Sequence, residues 1–251
     1  MTTQTFTYLR ELKLPGMVQA LQQQLEHSGT YEGLAFTERL TLMLEQESLL
    51  REQRKQARLV RQAHFKLDAC VQTIDYQHPR QLDKSQIAQL AQAEWIHRAQ
   101  NLLITGPCGS GKTYIACALG NTACRQGYSV RYFRLSRLLL ALQQAKADGS
   151  YHKQLQQLAK TQLLIIDDWG LETLQPAQRH DLMEIMEDRY GQQSTLVISQ
   201  LPTDQWYASI GDNTLADAIL DRLMHNAHRI KLKGESMRKK QTQLTQDEHL
   251  Q

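Results

Sequence analysis

Leu102-Leu103-Ile104-Thr105-Gly106-Pro107-Cys108-Gly109-Ser110-Gly111-Lys112-Thr113 is the stretch on which the fold turns. Its first four residues are an apolar run of strand character, its last eight fit G-x-x-x-x-G-K-[ST], and helical patterning continues from Lys112 to about Arg125. A glycine-rich turn between a strand and a helix lets backbone N–H groups point inward around phosphate oxygens, and the helix N-terminus adds its partial positive charge. Gly106, Pro107, Cys108, Gly109, Ser110 and Gly111 are expected to form the cradle, Lys112 to reach the β and γ phosphates, and the Thr113 hydroxyl to ligate magnesium. The alternative is an ordinary glycine-rich turn.

Toward the C-terminus, apolar strands at Leu102–Thr105, Val130–Phe133, Leu163–Asp167, Thr195–Ser199 and Arg229–Leu232 alternate with helices near Lys112–Arg125, Ser136–Ala147, Pro176–Tyr190 and Thr214–Asn226. That alternation predicts an α/β fold with a five-stranded parallel sheet covered on both faces. Leu163-Leu164-Ile165-Ile166-Asp167-Asp168 ends a buried strand in two carboxylates, in the manner of a Walker B motif. At the carboxyl edge of the sheet, Asp167 would hold magnesium, through water, and Asp168 would orient or deprotonate the attacking water. The pair could instead cap the following turn. Thr195 to Gln200 is a further strand whose polar end offers Ser199 or Gln200 to the γ-phosphate, or forms only a turn. Arg222 and Arg238 are candidates for phosphoryl charge, with surface arginines as the alternative.

Toward the N-terminus the pattern is helical up to about residue 75, with Pro15 placed to open a helix whose apolar face carries Met17, Val18, Leu21 and Leu25. A longer helix is expected from an N-cap at Thr37 to about Phe65, and on it Arg51, Arg54, Lys55 and Arg58 share one stripe, suited to duplex DNA or to a solvated face. The expected organisation is a small all-helical DNA- or partner-binding domain at 1–75, a linker and short helix at 76–100, a nucleotide-binding domain at 101–240 and a polar tail at 241–251.

The 251 residues carry 29 basic and 26 acidic side chains, and 41% are hydrophobic, a globular composition. No apolar run exceeds six residues, against the roughly 20 that span a bilayer, so no membrane partner is expected. The start, Met1 to Thr5, lacks the charged and apolar regions of a signal peptide, which points to the cytoplasm. Cys70, Cys108, Cys117 and Cys124 form no C-x-x-C pair, so reduced thiols and no structural metal are expected.

Taken together, Gly106 to Thr113, Leu163 to Asp168, Ser199-Gln200, Asp221-Arg222-Leu223 and Gly234 to Arg238 resemble the AAA+ P-loop NTPase family, and more closely its IstB-like members, ATP-binding helpers of insertion-sequence transposition related to the DnaC helicase loader. The resemblance extends through Leu9–Gly16 and Phe36–Arg51 and so covers nearly the whole chain. It implies ATP and Mg2+ as cofactors, Lys112, Asp168, Gln200, Arg222 and Arg238 as catalytic residues, and Thr113 with Asp167 on the metal. Within it Gln200 stands at sensor 1, Arg238 at sensor 2, and Arg222 as a finger reaching a neighbouring subunit's nucleotide. The implied partners are double-stranded DNA, an IstA-like transposase and further copies of the chain with ATP between subunits. Two departures from the family pattern are Asp168, where glutamate is usual, and Gln200, where asparagine is usual; both are compatible with a slow ATP-dependent switch. A nucleotide-gated binding module and a small-molecule kinase are the competing functions, and the kinase would need neither the basic helix nor the late arginines.

Overall fold

The structure, a computed structural model, describes residues 2–237. It divides into two compact units at Arg58/Leu59.

The first unit holds α1 (Thr2–Glu11), α2 (Pro15–Glu26), α3 (Ser28–Tyr31) and most of α4 (Phe36–Ala63). Pro15 opens α2, where its missing N–H costs nothing. The buried face of α2 is Gly16, Met17, Ala20 and Gln24, and the expected Leu25 is exposed. Gly16 is required by a close crossing, since a Cβ there would lie 2.5 Å from Glu47 Cα. Glu47 reaches the N–H groups at the start of α2 that have no partner within the helix, accepting from Gly16 at 2.6 Å and from Met17 at 3.4 Å, and it also accepts from Arg51 Nε at 2.6 Å. Burial pushes its carboxyl up, but the bonds from Arg51, Gly16 and Met17 outweigh it and hold the pKa below its usual value. The longer helix starts one residue before the expected Thr37 cap, because Glu38 Oε2 accepts from Ala35 N–H at 2.7 Å and supplies the closure.

The second unit continues with α5 (Lys84–Leu90), α6 (Glu94–His97), β1 (Asn101–Thr105), α7 (Lys112–Arg125), β2 (Val130–Arg134), α8 (Leu135–Asp148), α9 (Tyr151–Lys160), β3 (Leu163–Trp169), α10 (Pro176–Arg189), β4 (Ser194–Ser199), α11 (Trp206–Ile210), α12 (Asn213–Met224) and β5 (Ala227–Lys231). The strands pair in parallel in the order β2-β3-β4-β1-β5, so all five carboxyl ends lie along one edge. Period-2 alternation divides the core: Leu102, Ile104, Leu163, Ile165, Leu196 and Ile198 face α7 and the segment before β1, whereas Leu103, Leu164, Ile166 and Val197 face α8 to α12.

The compact division falls before the expected boundary at residue 75, and the short helix expected within residues 76–100 is α5. Ile87, Leu90, Trp95 and Ile96 are buried in the sheet's core, and Leu59 and Ala63 of α4 join them. α9, which buries Leu155 and Leu158, is not among the expected helices.

Candidate nucleotide site

At the carboxyl edge a cavity of about 870 Å³ is lined by Cys108, Gly109, Gly111, Lys112 and Thr113 from the loop after β1, Asp167 and Asp168 from β3, and Ser199 and Gln200 from β4. These three strands are neighbours in the sheet, with β4 between β3 and β1. Open α/β sheets bind ligands in this position.

Within the loop, the expected residues divide into two groups. Gly106 and Pro107 lie outside the lining, and their carbonyls accept from Lys112 Nζ, each at 2.7 Å. Ser110 is fully buried and outside the lining, and its carbonyl accepts from Nη1 of Arg80, itself a lining residue, at 2.9 Å. Gly111 precedes α7 at φ +89, and a Cβ there would lie 2.3 Å from the same Nη1, so the position admits only glycine.

The two residues expected on magnesium come together: Thr113 Oγ1 donates to Asp167 Oδ2 at 2.9 Å. Tyr132 OH donates to the same oxygen at 2.6 Å, and burial together with that bond pushes the phenol's pKa well up, keeping it a donor. A hydroxyl beside a carboxylate is a hard-oxygen donor set that fits Mg2+.

Between Ile166 and Trp169 the β3 to β4 register shifts, leaving Asp167 and Asp168 on a bulge. Asp168 adopts φ +61, and its N–H donates to Asp167 Oδ1 at 2.7 Å. Its carboxylate is engaged by Arg134 Nε at 2.6 Å. That hydrogen bond, with the charge of Asp168 behind it, raises the pKa of the Arg134 guanidinium.

Of the two candidates at the end of β4, Ser199 is committed to structure, donating to Trp169 O at 2.7 Å and accepting from Leu201 N–H at 3.0 Å, while Gln200 is exposed on the cavity. Arg222 does not line its own chain's cavity. It pairs with Glu187 on α10, donates to Ala218 O at 2.9 Å and lies 5.9 Å from the centroid of the Tyr190 ring. Arg238 and the tail at 241–251 lie outside the described residues; Met237 lines the cavity and its N–H donates to Gly109 O at 3.0 Å.

Arg51, Arg54, Lys55 and Arg58 are all exposed on α4. Arg51 is drawn to Glu47 and Lys55 stands 4.0 Å from Glu52, whereas Arg54 and Arg58 have no ion-pair partner among the described residues. Sequence reasoning missed Arg80, Tyr132 and Arg134. The first lay in a presumed linker. The others are strand residues whose roles follow from the register that sets Arg134 opposite Asp167, and the sequence carried no signal for that register.

The parallel sheet, the phosphate loop and the paired acids at the end of β3 define a P-loop ATPase of the AAA+ class. The sequence profile of the IstB-like ATP binding protein family matches residues 7–245, and the chain belongs to that family. It is 46% identical over 237 residues to the insertion sequence ATP-binding protein y4pL of Sinorhizobium fredii, covering 94% of this chain and 96% of that protein. To the insertion sequence IS1162 ATP-binding protein of Pseudomonas fluorescens it is 48% identical over 204 residues, 81% of this chain and 88% of the relative. The crystal structure of the DnaC helicase loader shares the fold, with a TM-score of 0.53 at 19% identity, over 66% of this chain and 97% of DnaC. No helix among the described residues is long and apolar enough to cross a membrane.

Proposed function

We propose that this chain is an ATP-dependent, DNA-binding helper of transposition that hydrolyses ATP to ADP and phosphate. It assembles with further copies on target duplex DNA, reshapes that DNA and recruits or stimulates an IstA-like transposase. The observation that carries the proposal is the convergence of Lys112, Thr113, Asp167 and Asp168 on one cavity at the sheet edge. The names of the relatives, ATP-binding proteins of insertion sequences, support the transposition context.

In this mechanism Cys108, Gly109 and Gly111 of the loop receive the phosphates on backbone N–H groups, and the Lys112 ammonium transfers from the Gly106 and Pro107 carbonyls to phosphate oxygens. Thr113 and Asp167 hold Mg2+, which when bound neutralises phosphate charge. Tyr132 keeps the Asp167 carboxylate in place. Asp168 takes the proton of the attacking water once Arg134 shares its carboxylate, Gln200 orients the γ-phosphate, and Arg222 and Arg238 supply charge for the transition state. Arg54 and Arg58, supported by Arg51 and Lys55, contact the DNA backbone.

ATP turnover measured with and without duplex DNA tests this function. Turnover is expected to rise with duplex, and Lys112→Ala to lower it by about 10- to 100-fold, the range of one charge-assisted hydrogen bond. Neutralising Arg54 and Arg58 together is expected to flatten the log–log salt slope of DNA affinity by about 1.8, at roughly 0.9 per phosphate contact. Turnover that ignores both DNA and Lys112→Ala would reject the proposal, and an unchanged slope would return the stripe to a solvated face.

A further inference from the structure

Arg80 belongs to the segment that sequence patterning assigned to a linker, yet only 2% of its surface is exposed and it lines the nucleotide cavity. Its guanidinium joins three pieces of chain. Nη2 donates to Asp75 O at 2.6 Å, and Nη1 donates to Ser110 O of the phosphate loop at 2.9 Å and approaches Met237 Sδ at 2.9 Å. Its main-chain carbonyl accepts from Lys233 N–H at 3.0 Å. The guanidinium makes no ion pair among the described residues, and its Nε is buried without a hydrogen-bond partner. Burial disfavours this charge, the nearby Asp75 carboxylate partly offsets that without a direct ion pair, and a polyphosphate in the same cavity would add further opposite charge.

We infer that Arg80 is a positioning residue for the phosphate loop: by binding the Ser110 carbonyl it keeps the turn from Gly109 to Gly111 in the shape that receives the β and γ phosphates. The inference rests on this cavity being the nucleotide site. Arginine is needed because its planar fork reaches the Asp75 and Ser110 carbonyls together, which a lysine ammonium on a flexible stem does not reproduce.

The test measures dissociation constants of ribose-labelled fluorescent ATP, ADP and AMP for the full chain and for its Arg80→Lys, Arg80→Gln and Lys112→Ala variants, with folding of each verified by near-UV circular dichroism. The two Arg80 variants are expected to lose at least tenfold in ATP and ADP affinity while AMP affinity stays within twofold, because AMP has no β or γ phosphate to report on the loop. Should Arg80→Gln fail to fold, Arg80→Lys retains the charge and still removes the fork. ATP affinity within twofold of wild type in Arg80→Lys, or a parallel fall for all three nucleotides, would overturn the inference, the latter marking Arg80 as a general structural support. If Lys112→Ala also binds ATP normally, the failure lies with the cavity as the nucleotide site rather than with Arg80.

Discussion

Asp168 carries a backbone conformation that most residues avoid. At φ +61 it lies in the left-handed region, where Asp and Asn are better tolerated than longer or branched side chains. This gives a local physical reason for aspartate at a position where the AAA+ resemblance makes glutamate usual. It also makes Asp168→Asn a clean substitution, since asparagine keeps the turn and the size and removes only the charge that pairs with Arg134 and would accept a proton. ATP affinity is expected to stay within a few-fold of wild type while single-turnover hydrolysis falls by about 10²- to 10⁴-fold, the usual worth of a general base. An equal fall in affinity and in turnover would assign Asp168 to binding instead.

The helical pair α2 and α4 depends on one carboxylate. Glu47 accepts from two N–H groups at the start of α2 and from Arg51, so Glu47→Gln is expected to weaken the first unit by about 1–3 kcal/mol through imperfectly satisfied buried groups. Its pH dependence follows from the direction of its pKa. The folded value lies below the ordinary 4.5, so the carboxylate's contribution is complete above that value and is lost as pH falls through the folded pKa. Thermal melts followed by far-UV circular dichroism at pH 7 and at stepwise lower pH should show the wild type and Glu47→Gln converging on acidification. A constant difference across that range would remove the ionised carboxylate from the account. The same helix carries the basic stripe, so the Arg51 that secures α2 is less available to phosphate than Arg54 and Arg58.

For the whole molecule, the distinctive expectation concerns assembly. Arg222 lies outside its own cavity, held by Glu187 and set over Tyr190, as a residue acting on a neighbour's nucleotide would be. A Lys112→Ala chain would then keep its finger and lose its pocket, and an Arg222→Ala chain the reverse. Each variant alone is expected to be nearly inactive, and a mixture on duplex DNA to recover part of the ATPase rate, because trans arginines are worth roughly 10³ to 10⁵ in rate in phosphoryl transfer. Co-assembly of the two variants with no recovery at any ratio would confine Arg222 to its own subunit or to the surface.

Much of this architecture was legible before any coordinates. The strand, glycine turn and helix from Leu102 to Arg125, and the five apolar runs, are local patterns of period 2 and period 3.6, and burial on two faces leaves a parallel sheet as their outcome. The sequence by itself therefore determined the class of fold, the phosphate loop and the acids at the end of β3. Only the tertiary structure decided which side chains support them. Arg80 meets Ser110 across 30 positions and Met237 across 157, while Tyr132 and Arg134 meet Asp167 and Asp168 across 35 and 34. Such meetings depend on which strands become neighbours and in what register, which is set by packing of the whole sheet and leaves no periodic trace in the local sequence.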